Sequence, residues 1–183
     1  SNYEKNIAVI GCGYWGKNII RNFFELGALH SICDSDYSTS RAFAKKYNVK
    51  NYSFIEILND PNIKGVVLAV PAQFHASMAV DIMNKKKHVF VEKPLAMNEI
   101  EGKQMVATAK KNNVKLMVGH LLQYHPIFKS IREMVAKGDI GKLNYIFSNR
   151  LSLGKVRTNE DVIWSFAPHD ISMILSLAGQ NPE

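Results

Sequence analysis

Residues 7–10 are uninterrupted apolar positions, Ile7, Ala8, Val9 and Ile10; glycines follow at 11, 13 and 16, and apolar residues then recur at helical spacing through Ile19, Ile20, Phe23 and Phe24. A short β-branched run of this kind predicts a strand buried on both faces, followed by an amphipathic helix. The alternation repeats. Strands are predicted over 7–11, 29–34, 65–70, 88–92 and 115–119, with a short one near 51–53, and helices over 15–26, 39–47, 54–59, 75–84 and 98–112. Strand alternating with helix predicts an α/β fold built on a doubly wound parallel sheet over residues 1–120. Ligands of such a sheet lie outside the carboxyl ends of its strands, where strand order reverses, so Pro71, Lys93 and His120 are expected near that crevice.

Beyond His120 the rhythm changes. "HPIFKSIREMVAKGDIG" predicts a helix ending at Gly138, "KLNYIFSNRLSLG" a long strand, and "WSFAPHDISMILSLAG" a loop entering another helix. Residues 121–183 are therefore expected to be the first part of a second α/β domain, because one strand between two helices cannot complete a sheet. There is no internal repeat and no low-complexity segment.

Composition narrows the class. With 183 residues and 46% hydrophobic content the chain can bury a sizeable core. No apolar run approaches the roughly 20 residues of a membrane span, and the first residues lack a signal-peptide core, so a cytoplasmic protein without a membrane partner is expected. Cys12 and Cys33 have no C-x-x-C spacing and are expected to be free thiols. The net charge of +7 raises the question of nucleic acid. The lysines at 45–46, 85–87 and 110–111 instead fall at predicted helix ends, where positive charge complements the helix dipole, which argues against a nucleic-acid stripe. A modest positive field would still draw in an anionic cofactor or substrate.

The glycines at 11, 13 and 16 have the spacing G-x-G-x-x-G. The first permits a tight turn, the second lets a ligand approach the backbone, and the third allows close helix packing, while the helix amino terminus offers unpaired N–H groups to a pyrophosphate. The turn alone is weak evidence, since such glycines can close any strand–helix connection. The confirming residue is an acid about 20 residues further on that accepts from an adenosine ribose. Asp34, within "LHSICDSD", stands at about that distance, with no arginine directly after it, so NAD is expected in preference to NADP.

Two further residues are candidates for catalysis. "VFVEKPLAMN" puts Lys93 at the end of a buried strand, facing a partly desolvated crevice suited to acid–base work. "WSFAPHDISMIL" puts His169 and Asp170 at a helix entrance, where an imidazole can take a hydroxyl proton or simply cap the helix. A metal site drawn from His120, His125, His169 and Asp170 lacks compact ligand spacing, so no metal is expected.

Together "GCGYWG", Asp34, "VPAQFHASMA", "EKP" and "APHD" resemble, in order along the whole chain, the glucose-fructose oxidoreductase and inositol dehydrogenase family, Gfo/Idh/MocA. Within it, "GYWGKN", "GHLLQYHP" and "RLSLGKVRTNEDVIWSFAPHDIS" are most similar to the 3-dehydrogenases of UDP-N-acetylglucosamine and its uronate, which serve surface-polysaccharide synthesis. The resemblance implies a homo-oligomeric enzyme. It has an NAD-binding Rossmann domain and a second domain with an open, mostly antiparallel sheet, and the part beyond residue 183 is expected to be missing. It implies that Lys93 and His169 are catalytic. Tyr14, Trp15, Pro71, His75 and Glu92 would join the three glycines, Asp34 and Lys93 around the cofactor. Tyr124, Lys155, Arg157, Trp164 and Asp170 would join Lys93 and His169 around a UDP-sugar held between the domains. A cis Lys93-Pro94 bond is implied as well. Ser165 stands where many members carry an aspartate four residues before the histidine, so an Asp–Lys proton relay is not expected. The chain as given is expected to bind NAD without efficient turnover. Other readings are a dehydrogenase of another sugar or cyclitol, or an NAD sensor that needs neither Lys93 nor His169.

Overall fold

A computed structural model describes residues 4–151 and 162–180. The chain divides into two compact units, Ser1–Gly119 and His120–Glu183. In the first, strands β1 (Ile7–Ile10), β2 (Leu29–Cys33), β3 (Lys50–Asn51), β4 (Gly65–Leu68), β5 (His88–Val91) and β6 (Leu116–Val118) alternate with helices α1 (Gly16–Glu25), α2 (Tyr37–Tyr47), α3 (Phe54–Asn59), α4 (His75–Asn84) and α5 (Glu99–Asn112). The sheet order is β3-β2-β1-β4-β5-β6 and every pair is parallel. β1 has β2 on one side and β4 on the other, so strand order reverses at its carboxyl end.

The apolar run of β1 is explained by two cores. Ala8 and Ile10 point into one with Leu68, Ile82, Met83, Val91 and Met105, while Val9 points into the other with Ile20, Leu29, Ile32 and Val67. Each fully buried Ile, Leu or Val contributes about 1.5–3 kcal/mol of apolar transfer, so a strand with both faces covered is held in one register. Helix ends follow local chemistry. Asp36 caps α2 by accepting from the N–H groups of Ser38 and Thr39 at 2.9 and 3.3 Å. Ser53 and Glu56 form a capping box on α3, and Asn98 caps α5 through the Glu101 N–H at 2.9 Å. α1 has no side-chain cap at Trp15; the Lys17 and Asn18 N–H groups turn back onto the Gly13 and Trp15 carbonyls at 3.2 and 2.9 Å.

Lys45, Lys46, Lys110 and Lys111 lie in the last turns of α2 and α5, as their spacing predicts. The 85–87 run differs. Lys87 is buried, and its ammonium donates to the carbonyls of Asp60 and Ile63 at 2.6 and 2.8 Å. Its aliphatic stem reaches those carbonyls across apolar packing.

The second unit contains α6 (Pro126–Lys137), which stops at Gly138 with φ 77°, and α7 (Val162–Ala178). Two expectations are corrected here. Residues 142–151 carry no strand. Tyr145, Phe147 and Leu151 alternate as a strand would, but a strand is held by a ladder, and no second strand of this unit stands beside it among the described residues. His169 does not open a helix: α7 begins at Val162 and runs through Pro168, placing His169 in its interior. Pro168 has no N–H to give, so the helix continues past it with one hydrogen bond fewer.

Candidate active site

The glycine turn leaves the carboxyl end of β1 under tight steric control. Gly11 has φ +101°, and a Cβ there would stand 2.3 Å from the Ala69 carbonyl oxygen; one at Gly16 would stand 1.9 Å from the Gly11 oxygen. A Cβ on Gly13 would meet nothing within 4 Å. The first and third glycines are thus required by the protein, whereas the second borders open space. That space is a cavity of about 600 Å³ at the reversal of strand order, lined among others by Gly11, Gly13, Asp34, Phe54, Pro71 and Phe74.

Asp34 stands at the end of β2 on the rim of this cavity. Its carboxylate accepts from the Cys12 N–H at 2.6 Å and the Asp36 N–H at 2.9 Å, so the glycine turn itself orients the acid. The thiols of Cys12 and Cys33 are buried and unbridged. Burial, reinforced by the Asp34 charge, pushes them up to about 12 and about 11, so both remain protonated and unreactive near neutral pH. Glycine backbone beside an uncapped helix end suits a pyrophosphate, and the fixed carboxylate suits ribose hydroxyls. The wall of Phe54, Phe74, Met78 and Val70 suits a flat heterocycle.

At the neighbouring carboxyl end of β5, Glu92 accepts from the Trp15 indole N–H at 2.8 Å. Burial raises the Glu92 carboxyl above the usual range, opposed by hydrogen bonds from Trp15 and the Lys93 backbone N–H. Lys93 is half-buried, and the Lys93-Pro94 bond is cis, as the resemblance implies. His75 is buried away from the cavity, with Nδ1 2.7 Å from the Pro94 oxygen and Nε2 2.9 Å from the Val70 oxygen. Its ring braces two loops and is not among the residues that line the cavity. Tyr14 is largely exposed, with Lys17 over its ring, and does not line the cavity.

In the second unit, His120 and His169 meet edge to face, with ring centroids 6.3 Å apart. Burial lowers the His120 pKa, favouring its neutral form. The Asp170 carboxylate is taken by Arg150, whose Nε donates at 2.5 Å, and by the Ser148 hydroxyl at 2.9 Å. Hydrogen bonding to Arg150 first, then to Ser148, holds Asp170 below the usual carboxylate range, so it is a fixed anion rather than a base. Tyr124 and Trp164 are exposed. Lys155, Arg157 and the Ser165 side chain lie outside the described residues. No three His, Cys, Asp or Glu residues converge as a metal cluster among the described residues, and no described helix is long and apolar enough to cross a membrane.

Sequence reasoning missed the aromatic wall and the Cys12 N–H that orients Asp34. Phe54 opens α3 and Phe74 immediately precedes α4, both just after the carboxyl ends of β3 and β4, and that position relative to the sheet is the signal that finds them.

A parallel sheet with a glycine-lined cavity at its switch point and an oriented carboxylate on the next strand defines a dinucleotide-binding Rossmann domain. The family described as "Oxidoreductase family, NAD-binding Rossmann fold", Gfo/Idh/MocA, matches residues 5–120; the chain belongs to this family, and NAD is its cofactor. Over 186 residues it is 28% identical to myo-inositol 2-dehydrogenase of Thermotoga maritima, covering 97% of this chain and 56% of the relative. It is 23% identical over 175 residues to UDP-N-acetylglucosamine 3-dehydrogenase of Acidithiobacillus ferrooxidans, covering 95% and 54%. A crystal structure of the latter enzyme superimposes with a TM-score of 0.88 at 23% identity, covering 99% of this chain and 59% of that one, which shows the shared fold. The chain spans about half the length of these relatives.

Proposed function

We propose that the protein is an NAD-dependent dehydrogenase that oxidises a secondary alcohol of a sugar, with C3 of a UDP-N-acetylhexosamine or its uronate as the favoured substrate, for surface-polysaccharide precursors. The observation that carries the reading is the half-buried Lys93 set at the strand end beside the dinucleotide cradle, where a cofactor-dependent oxidation needs a positioned cation. The similarity to a UDP-N-acetylglucosamine 3-dehydrogenase over 95% of this chain supports the choice of substrate. Greater identity to an inositol dehydrogenase favours a cyclitol as the second reading. We read the enzyme as cytoplasmic and, in its whole form, homo-oligomeric.

NAD, when bound, accepts the hydride from the carbinol carbon. The chain handles the proton. Gly11, Gly13, Gly16 and Asp34 hold the dinucleotide, Lys93 as a cation orients the hydroxyl and stabilises developing alkoxide, and His169 takes the hydroxyl proton. Asp170, fixed by Arg150, supplies a stationary negative charge next to His169 in the chain.

The test is turnover by the whole protein, read as NADH formation, against UDP-N-acetylglucosamine, its uronate and myo-inositol. Lys93→Met and His169→Ala are each expected to lower turnover at least about 100-fold, the scale of a positioned acid or base, with NAD affinity nearly unchanged. Near wild-type turnover in both variants contradicts the assigned roles. Loss of NAD binding makes the two residues structural, and no turnover of any alcohol makes the protein an NAD sensor.

A further inference from the structure

Glu92 is held from three elements of the first unit. Its backbone N–H donates to the Leu68 oxygen of β4 at 3.0 Å. Its carboxyl accepts from the indole of Trp15, which stands in the turn between β1 and α1. Beyond β6, a Cβ added at Gly119 would stand 2.9 Å from one carboxyl oxygen and 3.0 Å from the other, so the carboxyl rests directly against a glycine. Any other residue at 119 would push it away. The Lys93 N–H then donates to this anchored carboxyl, and on the far side His75 holds the Pro94 oxygen at 2.7 Å. The backbone of Lys93 is thereby bracketed by two buried or half-buried anchors.

We propose that Trp15 and Glu92 are a pair of positioning residues: their hydrogen bond ties the glycine turn to the strand end bearing Lys93 and sets the direction in which Lys93 leaves β5. The pair rests on the reading of Lys93 as a substrate-facing cation. Trp15 suits the task because an indole is a donor only and is long enough to cross from one strand end to the next. A phenylalanine there keeps the ring and loses the tie. The charged or titratable groups that face the carboxyl are Lys93 and His75.

Two measurements test the pair. In the nitrogen-15 spectrum of the chain, Trp15 and Trp164 are the two indoles, and Trp15→Phe identifies the signal of the first. That signal is expected to move as Glu92 titrates, with a midpoint above 4.5, and to stop moving in Glu92→Gln. An indole signal that ignores pH, or the same titration persisting in Glu92→Gln, overturns the tie whatever Lys93 does. In the whole enzyme, Trp15→Phe and Glu92→Ala are expected to lower kcat about 10- to 100-fold through misplacement of Lys93, with KM for NAD little changed. Glu92→Gln keeps an acceptor for the indole and is expected to retain several-fold more turnover than Glu92→Ala. If it is as impaired as Glu92→Ala, or if Trp15→Phe raises KM for NAD without lowering kcat, the positioning role is wrong. Lys93→Met at wild-type turnover refutes the Lys93 role instead, and the spectroscopic result then decides the tie alone.

Discussion

The glycines at 13 and 16 share a motif and differ in what surrounds them. A methyl at 16 would meet the Gly11 carbonyl oxygen at 1.9 Å, whereas one at 13 would meet no protein atom within 4 Å. Gly16→Ala should therefore destabilise the fold by at least the roughly 1–3 kcal/mol typical of overpacking, since the obstacle is backbone. Gly13→Ala should melt like the parent and bind NAD several-fold more weakly. Thermal melts and calorimetric titration of both variants check the contrast; equal loss of stability would mean that Gly13 serves the turn rather than the ligand. At this scale the sequence was informative where chemistry is local. The glycine spacing, Asp34 and the Lys93-Pro94 bond could be read from short motifs. The role of His75 could not, because its partners are carbonyls of Val70 and Pro94, and backbone acceptors leave no trace in residue identity.

Elements were legible in proportion to how much of their environment the chain contains. The strands of the first unit lie within two residues of their expected bounds, and the central ones, β1, β2 and β4, are packed into cores that helices encoded nearby complete. The segment 142–151 has the alternation of a strand and no ladder, because pairing is a property of two strands and the pattern describes only one. α7 starts at Val162, earlier than the motif predicts, because a proline inside a helix costs it a hydrogen bond and local propensity does not foretell that the helix runs through Pro168. The same scale yields a pH prediction for α2. Hydrogen bonds from Thr39 and Ser38 hold the capping Asp36 carboxyl at about 2, below its ordinary value of 3.8. A depressed folded-state pKa contributes stability that is fully present above about 3.8 and is lost as pH falls toward about 2. Asp36→Asn keeps a capping oxygen and removes the titration, so its melting temperature should fall less than that of the parent across this window. Identical acid limbs for the two proteins would show that the cap charge contributes nothing.

For the molecule as a whole, cofactor choice rests on one cavity. The first unit supplies its glycine floor, its aromatic wall and its single oriented carboxylate, and the family to which the chain belongs binds NAD through this domain. Asp34 is fixed by the Cys12 and Asp36 N–H groups with no cation in that pair of contacts, an environment that suits ribose hydroxyls and disfavours a 2'-phosphate, which is the role we propose for it. The net charge of +7 favours both cofactors alike and cannot by itself produce a preference. The most direct measurement is calorimetric titration of NAD and of NADP into the chain and into Asp34→Asn at one ionic strength. Clearly tighter binding of NAD by the parent is expected, with a preference that shrinks or reverses in Asp34→Asn. Equal or tighter binding of NADP by the parent would contradict it.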